Sequence, residues 1–287
     1  QLLWQQLANG TTMGMIYALI TLGLTMVYGV LRILHISHAG IFALGGYLAV
    51  LASRVSPNLA FVTAAAMLGC GLVGLLMQKW LYRPLLAESK VVSLIASIGM
   101  FTLMEDLFRL VAGPYVLPLP VRAPFGLDQF ETSHMTGNQL VVLIASVMLL
   151  IAAWFIIHRT RLGLAWRATE QDFETASAFG VNIDRAVGTN FLLGSAVAGA
   201  AGALVGFYYN SVYPTMGSVP AYKAMAIAVL GGLGNVWGTV VASLILGLVE
   251  TFLVISPAGL ILPRDSIAFI ALILVLLFRP HGLFGRR

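Results

Sequence analysis

The sequence predicts an all-α fold: a polytopic transmembrane bundle of about eight or nine membrane segments, forming one unit over residues 1–287. Three observations carry this reading. Hydrophobic residues make up 59% of the chain and charged residues only 9%, with a mean hydropathy of +0.93. Apolar runs long enough to cross a bilayer recur along the chain, where about 20 residues suffice. Their composition, rich in Leu, Ala, Gly, Val and Ile, suits helices that satisfy their own backbones in lipid better than the alternating strands of a barrel.

Taken in order, Leu7–Leu31 is the first span. It carries no charge, and Gly10, Gly14 and Ala18 form a small-residue face that lets a second helix approach closely. No basic region or cleavage site precedes it, so it reads as a retained helix rather than a leader. After the polar break Arg32–His38, the run Ala39–Ser53 is marginal for a full crossing and reads as tilted, re-entrant or buried among neighbours. Leu59–Leu81 follows a turn at Pro57 and is closed by Tyr82-Arg83-Pro84. Val91–Leu110 carries Glu105 and Arg109, spaced i,i+4 to pair at the membrane edge. Residues 113–137, with Pro114, Pro118, Pro120 and Pro124, form an extended outer loop.

Asn138–His158 is the fifth segment and Ala186–Tyr209, striped with glycine, the sixth. Ala221–Leu230 is short and ends at Gly231-Gly232-Leu233-Gly234. Val236–Ile255 and Ile267–Phe278 complete the set, separated by a turn over Pro257–Pro263 and followed by a basic tail from Arg279. Arg159, Arg161, Arg167 and Arg185, and the tail, mark two cytoplasmic places by the positive-inside rule. An even number of crossings must join them, so the Ala221 piece has to cross. Gln1 and the Pro-rich loop then lie outside, and Lys223 and Arg264 face outward.

Several function classes are excluded. A net charge of +5 arises from cations at helix ends, where they orient the chain, so no nucleic acid is expected as a partner. Cys70 is single, which rules out a disulfide framework or Cys-based metal site within the chain. His35 and His38 lack a third ligand, so no metal is expected. No G-x-x-x-x-G-K-[ST] occurs to cradle a triphosphate, and no residue set has the spacing of a nucleophile or general-acid pair, so the chain reads as no enzyme.

The one long, densely charged stretch is Arg159–Asn182, RTRLGLAWRATEQDFETASAFGVN, inside the cytoplasmic loop 159–185. Glu170, Asp172 and Glu174 suit a helix start, Ala176 and Ala178 its body, and Gly180 its C-terminal turn. The piece predicts one short amphipathic helix parallel to the membrane, with Phe173, Ala176 and Phe179–Gly180 near one side. Such a helix can seat as a knob in a partner's groove. For a translocation path the candidates are polar or aromatic groups in apolar runs: Asn9, Thr12 and Tyr17, then Asn190 and Tyr208, and Glu250, for which snorkelling to the interface competes. An ion-coupled secondary transporter or channel is the rival reading. Deep charges are scarce, however, and the two halves share only a glycine-rich texture, not a recognisable repeat.

The central stretch resembles the cytoplasmic loop of permease subunits of ATP-binding-cassette importers, which carries E-A-A-x-x-x-G. Glu174, Ala176 and Gly180 match; Thr175 replaces the middle alanine, and the later I-x-L-P element is absent. The wider chain resembles the LivH-type branched-chain amino-acid permeases. The matching stretches are NGTTMGMIYALITLGLTMVYGVLRILHISHAGIFALGGYLA from Asn9, RATEQDFETASAFGVNIDRA from Arg167, AVLGGLGNVWGTVVASLILGLVE from Ala228 and LVLLFRPHGLFG from Leu274. The resemblance implies a pore-forming subunit in a prokaryotic inner membrane, paired with a second homologous permease, the pair expected to be a heterodimer. Two ATPase subunits would use ATP and Mg, none of it bound by this chain, and a periplasmic or extracellular binding protein would deliver substrate. It also implies that Arg167, Glu170, Asp172, Glu174, Ala176, Phe179 and Gly180 couple to the ATPases. Related permeases carry urea, amides or small aromatic acids, so the substrate stays open.

Overall fold

The computed structural model describes residues 2–86, 88–129, 131–132, 135–254, 266–278 and 282. The predicted turn over Pro257–Pro263, Arg264 and the Arg279 and Arg286–Arg287 cations lie outside these. The helices are α1 (Leu2–Leu31), α2 (His38–Ser53), α3 (Leu59–Met77), α4 (Arg83–Leu85), α5 (Lys90–Ala112), α6 (Gly137–Arg159), α7 (Arg161–Gln171), α8 (Phe173–Ala178), α9 (Ile183–Tyr209), α10 (Ser218–Gly231), α11 (Val236–Val254) and α12 (Ser266–Phe278). Each of the predicted apolar runs contains a helix. Six of the described helices are long and apolar enough to cross a membrane, and three are shorter apolar helices. The outer loop holds a 3-10 turn, Pro124–Gln129, and a small hairpin of β1 (Glu131–Thr132) and β2 (Met135–Thr136).

Pro84 was expected to stop the third segment. It does not, because the helix widens into a π turn over Gln78–Tyr82 and resumes as α4 with the proline in its first turn, where no backbone N–H is needed.

The core is a crossed pair, α1 and α9. Their most apolar stretches are 89% and 78% buried, against 33%, 22% and 28% for α3 with its continuation, α5 and α6. α1 and α9 run antiparallel. At the outer end, Gln139 of α6 donates to both Asn9 of α1 and Tyr208 of α9. Midway, a Cβ on Gly23 would lie 2.5 Å from the Gly194 carbonyl oxygen, so the two backbones touch. Beyond the inner end of α1, Arg32 donates to the Glu170 carbonyl at 3.0 Å.

α11 packs on the outer half of α1. The predicted small face is used here: Gly10 and Gly14 receive Leu248 and Leu244, and Gly247 backs onto Gly14. Deeper in, the Thr25 and Thr239 hydroxyls meet at 3.1 Å. α3 packs on α9 in the same manner, Gly74 meeting Ser195 and Gly199 meeting Cys70. Small residues permit these approaches where lipid provides no hydrophobic drive to association.

Two helices begin inside the bundle. After α1 the chain turns back along it, so that α2 starts at His38, whose Nε2–H donates to the Ile20 carbonyl at 3.1 Å, about halfway along α1. The marginal second segment is therefore re-entrant in origin. After α9 the chain likewise descends. Val212 exchanges backbone hydrogen bonds with Leu117 of the outer loop, Met216 packs on Gly46, and Gly217 backs onto the Ala39 carbonyl. α10 starts there and runs inward to the Gly231–Gly234 turn. The order long helix, return segment, half-length helix and two further helices thus occurs twice, in α1, α2, α3, α5 and in α9–α12, with opposite sense. This corrects the expectation of no repeat: the relation is one of inverted topology, which a shared glycine texture does not reveal.

Arg32, Lys79, Arg83, Lys90, Arg159, Arg161, Arg167 and Arg185 gather at one end, which the positive-inside rule makes cytoplasmic; Arg54, Arg109 and Arg122 stand at the other. Arg109 pairs with Asp106 at 2.6 Å rather than with Glu105, whose carboxylate instead accepts from Ser218 at 2.6 Å. The expected i,i+4 pair gives way to a link between α5 and the start of α10.

Gly45 tests the packing, because a Cβ there would lie 2.3 Å from the Gly199 carbonyl oxygen. Gly45→Val is expected to cost about 1–3 kcal/mol or more by overpacking in denaturant unfolding of the detergent-solubilised protein. Gly99→Ala, with nothing within 4 Å of its Cβ, should be neutral or stabilise by about 0.4–1 kcal/mol.

Candidate functional site

Between the two halves, on their outer side, lies a cavity of about 310 Å³. α1 lines it with Met13, Ile16, Tyr17 and Ile20, a single face at i, i+3, i+4 and i+7. Val205 and Tyr209 of α9, Ser211, Tyr213 and Met216 of the return segment, Phe42 of α2, and Val219, Pro220 and Lys223 of α10 complete the lining. Most of the wall is aliphatic or aromatic.

Its ionic part is a buried triad. Lys223 Nζ lies 2.9 Å from Glu250 Oε1, donates to Oε2 at 3.0 Å and donates to the Tyr17 hydroxyl at 3.0 Å. The Tyr17 hydroxyl donates in turn to Glu250 Oε2 at 2.9 Å. The Lys223 and Glu250 side chains are 3% and 0% exposed. Two expectations are corrected here. Lys223 does not stand at the outer surface, because the Glu250 carboxylate and the Tyr17 hydroxyl hold its ammonium inside the bundle. Glu250 does not snorkel, because an interior countercharge holds it. A lone cation in AYKAMAIAVL and a lone anion in LILGLVETFLV, both in apolar helices, are the signal that could have paired them.

The remaining path candidates disperse. Asn9 and Tyr208 form the Gln139 clamp at the outer end. Thr12, fully buried, returns its hydroxyl to the Ala8 carbonyl at 2.9 Å. Asn190 is buried in the inner half of α9, away from the cavity. Of the six, Tyr17 lines the cavity and Glu250 backs it. Tyr209, Tyr213 and Lys223 were missed.

At the cytoplasmic end, the predicted single helix is two. Thr160 caps α7, accepting from the Gly163 N–H at 3.2 Å. Asp172 is extended, with φ −159° and ψ 122°, so it ends α7 and caps α8, its Oδ1 accepting from the Thr175 N–H at 2.5 Å. Gly180, at φ +86°, makes the chain reversal only glycine adopts freely, and Asn182 caps α9 through the Arg185 N–H at 3.0 Å. Between α7 and α8 runs a groove of about 490 Å³ lined by Leu164, Ala168, Thr175 and Phe179 among others.

The seven residues expected to couple do not share one face. Asp172, Glu174, Phe179 and Gly180 are exposed, Phe179 by 85%. Ala176 is buried but lines the same groove as Phe179, so the two stand near one side, as their spacing predicts. Arg167 donates to the Ile157 carbonyl, and the Glu170 carboxylate lies against Gly29 and Gly234. These last two belong to α7 and face the bundle.

The Thr175 backbone N–H, donating to Asp172, holds that carboxyl below its usual range. A depressed folded value means that the cap stabilises α8 above the ordinary aspartate pKa and is lost as pH falls through the lowered one. Amide exchange at Thr175 should therefore accelerate at acid pH in the native protein. In Asp172→Ala it should be fast at every pH.

The buried pair has a distinct signature. Glu250→Gln removes the countercharge of Lys223 and should cost about 3–5 kcal/mol. The double change Lys223→Met with Glu250→Met should recover most of that stability in denaturant unfolding, as apolar replacement of buried pairs does.

Comparison with known proteins fits this architecture. The family described as branched-chain amino acid transport system / permease component matches residues 6–278. The chain is 32% identical to the high-affinity branched-chain amino acid transport system permease protein LivH of Escherichia coli (strain K12), over 98% of this chain and 95% of the relative. It is equally 32% identical to BraD of Pseudomonas aeruginosa, a permease protein of the same description, over the same shares. Among solved structures, PsaBC from Streptococcus pneumoniae in complex with Fab aligns with a TM-score of 0.50 at 11% identity, covering 94% of this chain and 89% of that one, a likeness of fold. With two antiparallel core helices, two interior half-helices and an outer cavity spread over the matched residues, the chain belongs to the branched-chain amino acid transport system permease family.

Proposed function

We propose that this chain is one permease subunit of an ATP-driven importer of branched-chain or related amino acids. The observation that carries the reading is the outer cavity: it is largely apolar, it carries one buried ion pair, and half-helices meet beside it, the form in which alternating-access proteins hold polar cargo at mid-membrane. The partners are a second homologous permease, two ATPases that use ATP and Mg, and a binding protein outside the prokaryotic inner membrane that delivers substrate. The weakly buried apolar faces of α3, α5 and α6 offer surface to lipid and to that second permease.

The α7–α8 hairpin is the contact for the ATPases. Its exposed Phe179, beside a groove and flanked by Glu174 and Asp172, has the character of an aromatic anchor with a polar rim. Nucleotide-driven closure would move α7, and with it the inner end of α1 at Gly29 and the turn at Gly234, both of which Glu170 touches. An ion-coupled carrier remains the second reading, since inverted halves and a deep ion pair occur in such carriers as well.

Uptake of labelled leucine into liposomes holding the assembled complex separates the two. With ATP inside and binding protein outside, the native complex should accumulate leucine, and Phe179→Asp should lower uptake by at least about tenfold, the scale of one aromatic hot spot. Uptake that follows an ion gradient without the ATPases would instead identify a carrier.

A further inference from the structure

We infer that the Lys223–Glu250–Tyr17 triad is an amino-acid head-group site inside the permease, with Lys223 taking the α-carboxylate and Glu250 with Tyr17 the α-ammonium of a zwitterion. The inference rests on the transport reading above and deepens it, since the cavity itself then selects amino acids in addition to any selection made before delivery.

The argument starts from cost. A buried ion pair in a bundle contributes little net stability, because desolvating both charges offsets their attraction. An apolar pair at Lys223 and Glu250 would hold α10 to α11 as well or better. Charges at such depth are found where cargo or protons pass. Here Lys223 and Tyr17 line a cavity, and Glu250 lies behind them within 3.0 Å of both.

Geometry supplies the rest. Lys223 Nζ already divides its donors between a carboxylate and a phenol within 2.9–3.0 Å. A substrate carboxylate can take over part of that shell without leaving the ammonium bare. Glu250 then keeps the Tyr17 hydroxyl, 2.9 Å away, and the incoming ammonium takes the acceptor site that Lys223 gives up. The exchange replaces one buried pair by two, a carboxylate on Lys223 and an ammonium on Glu250, so no net charge enters the bundle. Val219 and Pro220, in the first turn of the 14-residue helix α10, also line the cavity, and the positive end of that helix favours a carboxylate at the same place. Opposite, Met13, Ile16, Phe42 and Val205 present the apolar surface that a branched aliphatic side chain would fill.

The test is binding of labelled L-leucine to the full-length permease in nanodiscs, without ATPases or binding protein, with unlabelled leucine, 4-methylpentanoate and leucinol as competitors. Leucinol lacks the carboxylate and 4-methylpentanoate the ammonium. The native chain should bind leucine saturably, and each competitor lacking one charge should be weaker than leucine by at least about tenfold. The folded double variant Lys223→Met, Glu250→Met should lose leucine by a similar factor. If the double variant unfolds like the native protein and binds leucine equally well, the pair is structural and the inference is overturned. If the native chain binds no leucine at millimolar concentration while the assembled complex transports it, the inference falls and the transport reading stands. Competition by the uncharged-end analogues equal to that of leucine also overturns it, by showing that only the apolar wall recognises the ligand.

Discussion

Everything in this bundle is hung on the crossing of α1 and α9 at Gly23 and Gly194. In water, apolar burial would hold two such helices together; in lipid that drive is absent, and close approach of backbones with dense van der Waals contact, joined by interhelical hydrogen bonds, replaces it. Glycine at both positions permits the contact, since a Cβ on Gly23 would fall on a carbonyl oxygen. With the two longest helices fixed as an antiparallel cross, α11 can lie only along α1 and α3 only along α9. The half-helices α2 and α10 occupy the two gaps that remain.

The cavity follows from that arrangement. Each return segment re-enters the bundle, so irregular backbone reaches mid-membrane depth, where it is tolerated only when shielded by protein or lining a cavity. The outer return is clipped to the Pro-rich loop by Leu117 and Val212, and by Asn210, whose side chain accepts from the Leu119 N–H at 2.9 Å. The inner one is held by Arg32 to the Glu170 carbonyl. α10 therefore spans from the cavity, at Lys223, to a glycine turn in contact with α7. α10 and the turn that follows it thus join the cavity to the cytoplasmic hairpin, the geometry that a two-state element uses.

Much of this was legible in the residues. Length and hydropathy located every span, because a bilayer imposes its thickness on sequence. Gly10 and Gly14 declared a helix contact that exists. Gly180 announced its turn. What was not legible depends on partners distant in sequence. Lys223 and Glu250 are 27 residues apart on different helices, and parity of crossings alone placed the lysine at an outer surface. Asp172 read as a helix-start charge, and only its extended backbone shows that it divides two helices. The inverted relation of the halves is carried by backbone direction, to which composition is blind.

The account turns on the claim that the Met13–Ile20 face of α1 and Val205 of α9 border a water-accessible cavity reached from the outer side. The most direct measurement is modification of single cysteines in a Cys70→Ala background by a charged, membrane-impermeant thiol reagent applied to sealed vesicles of known orientation. Met13→Cys and Val205→Cys should react from the outer side, while Met148→Cys, on the apolar exposed face of α6, should stay unmodified. Protection of Met13→Cys and Val205→Cys from that side, or reaction only from the side bearing Arg159, would contradict the account.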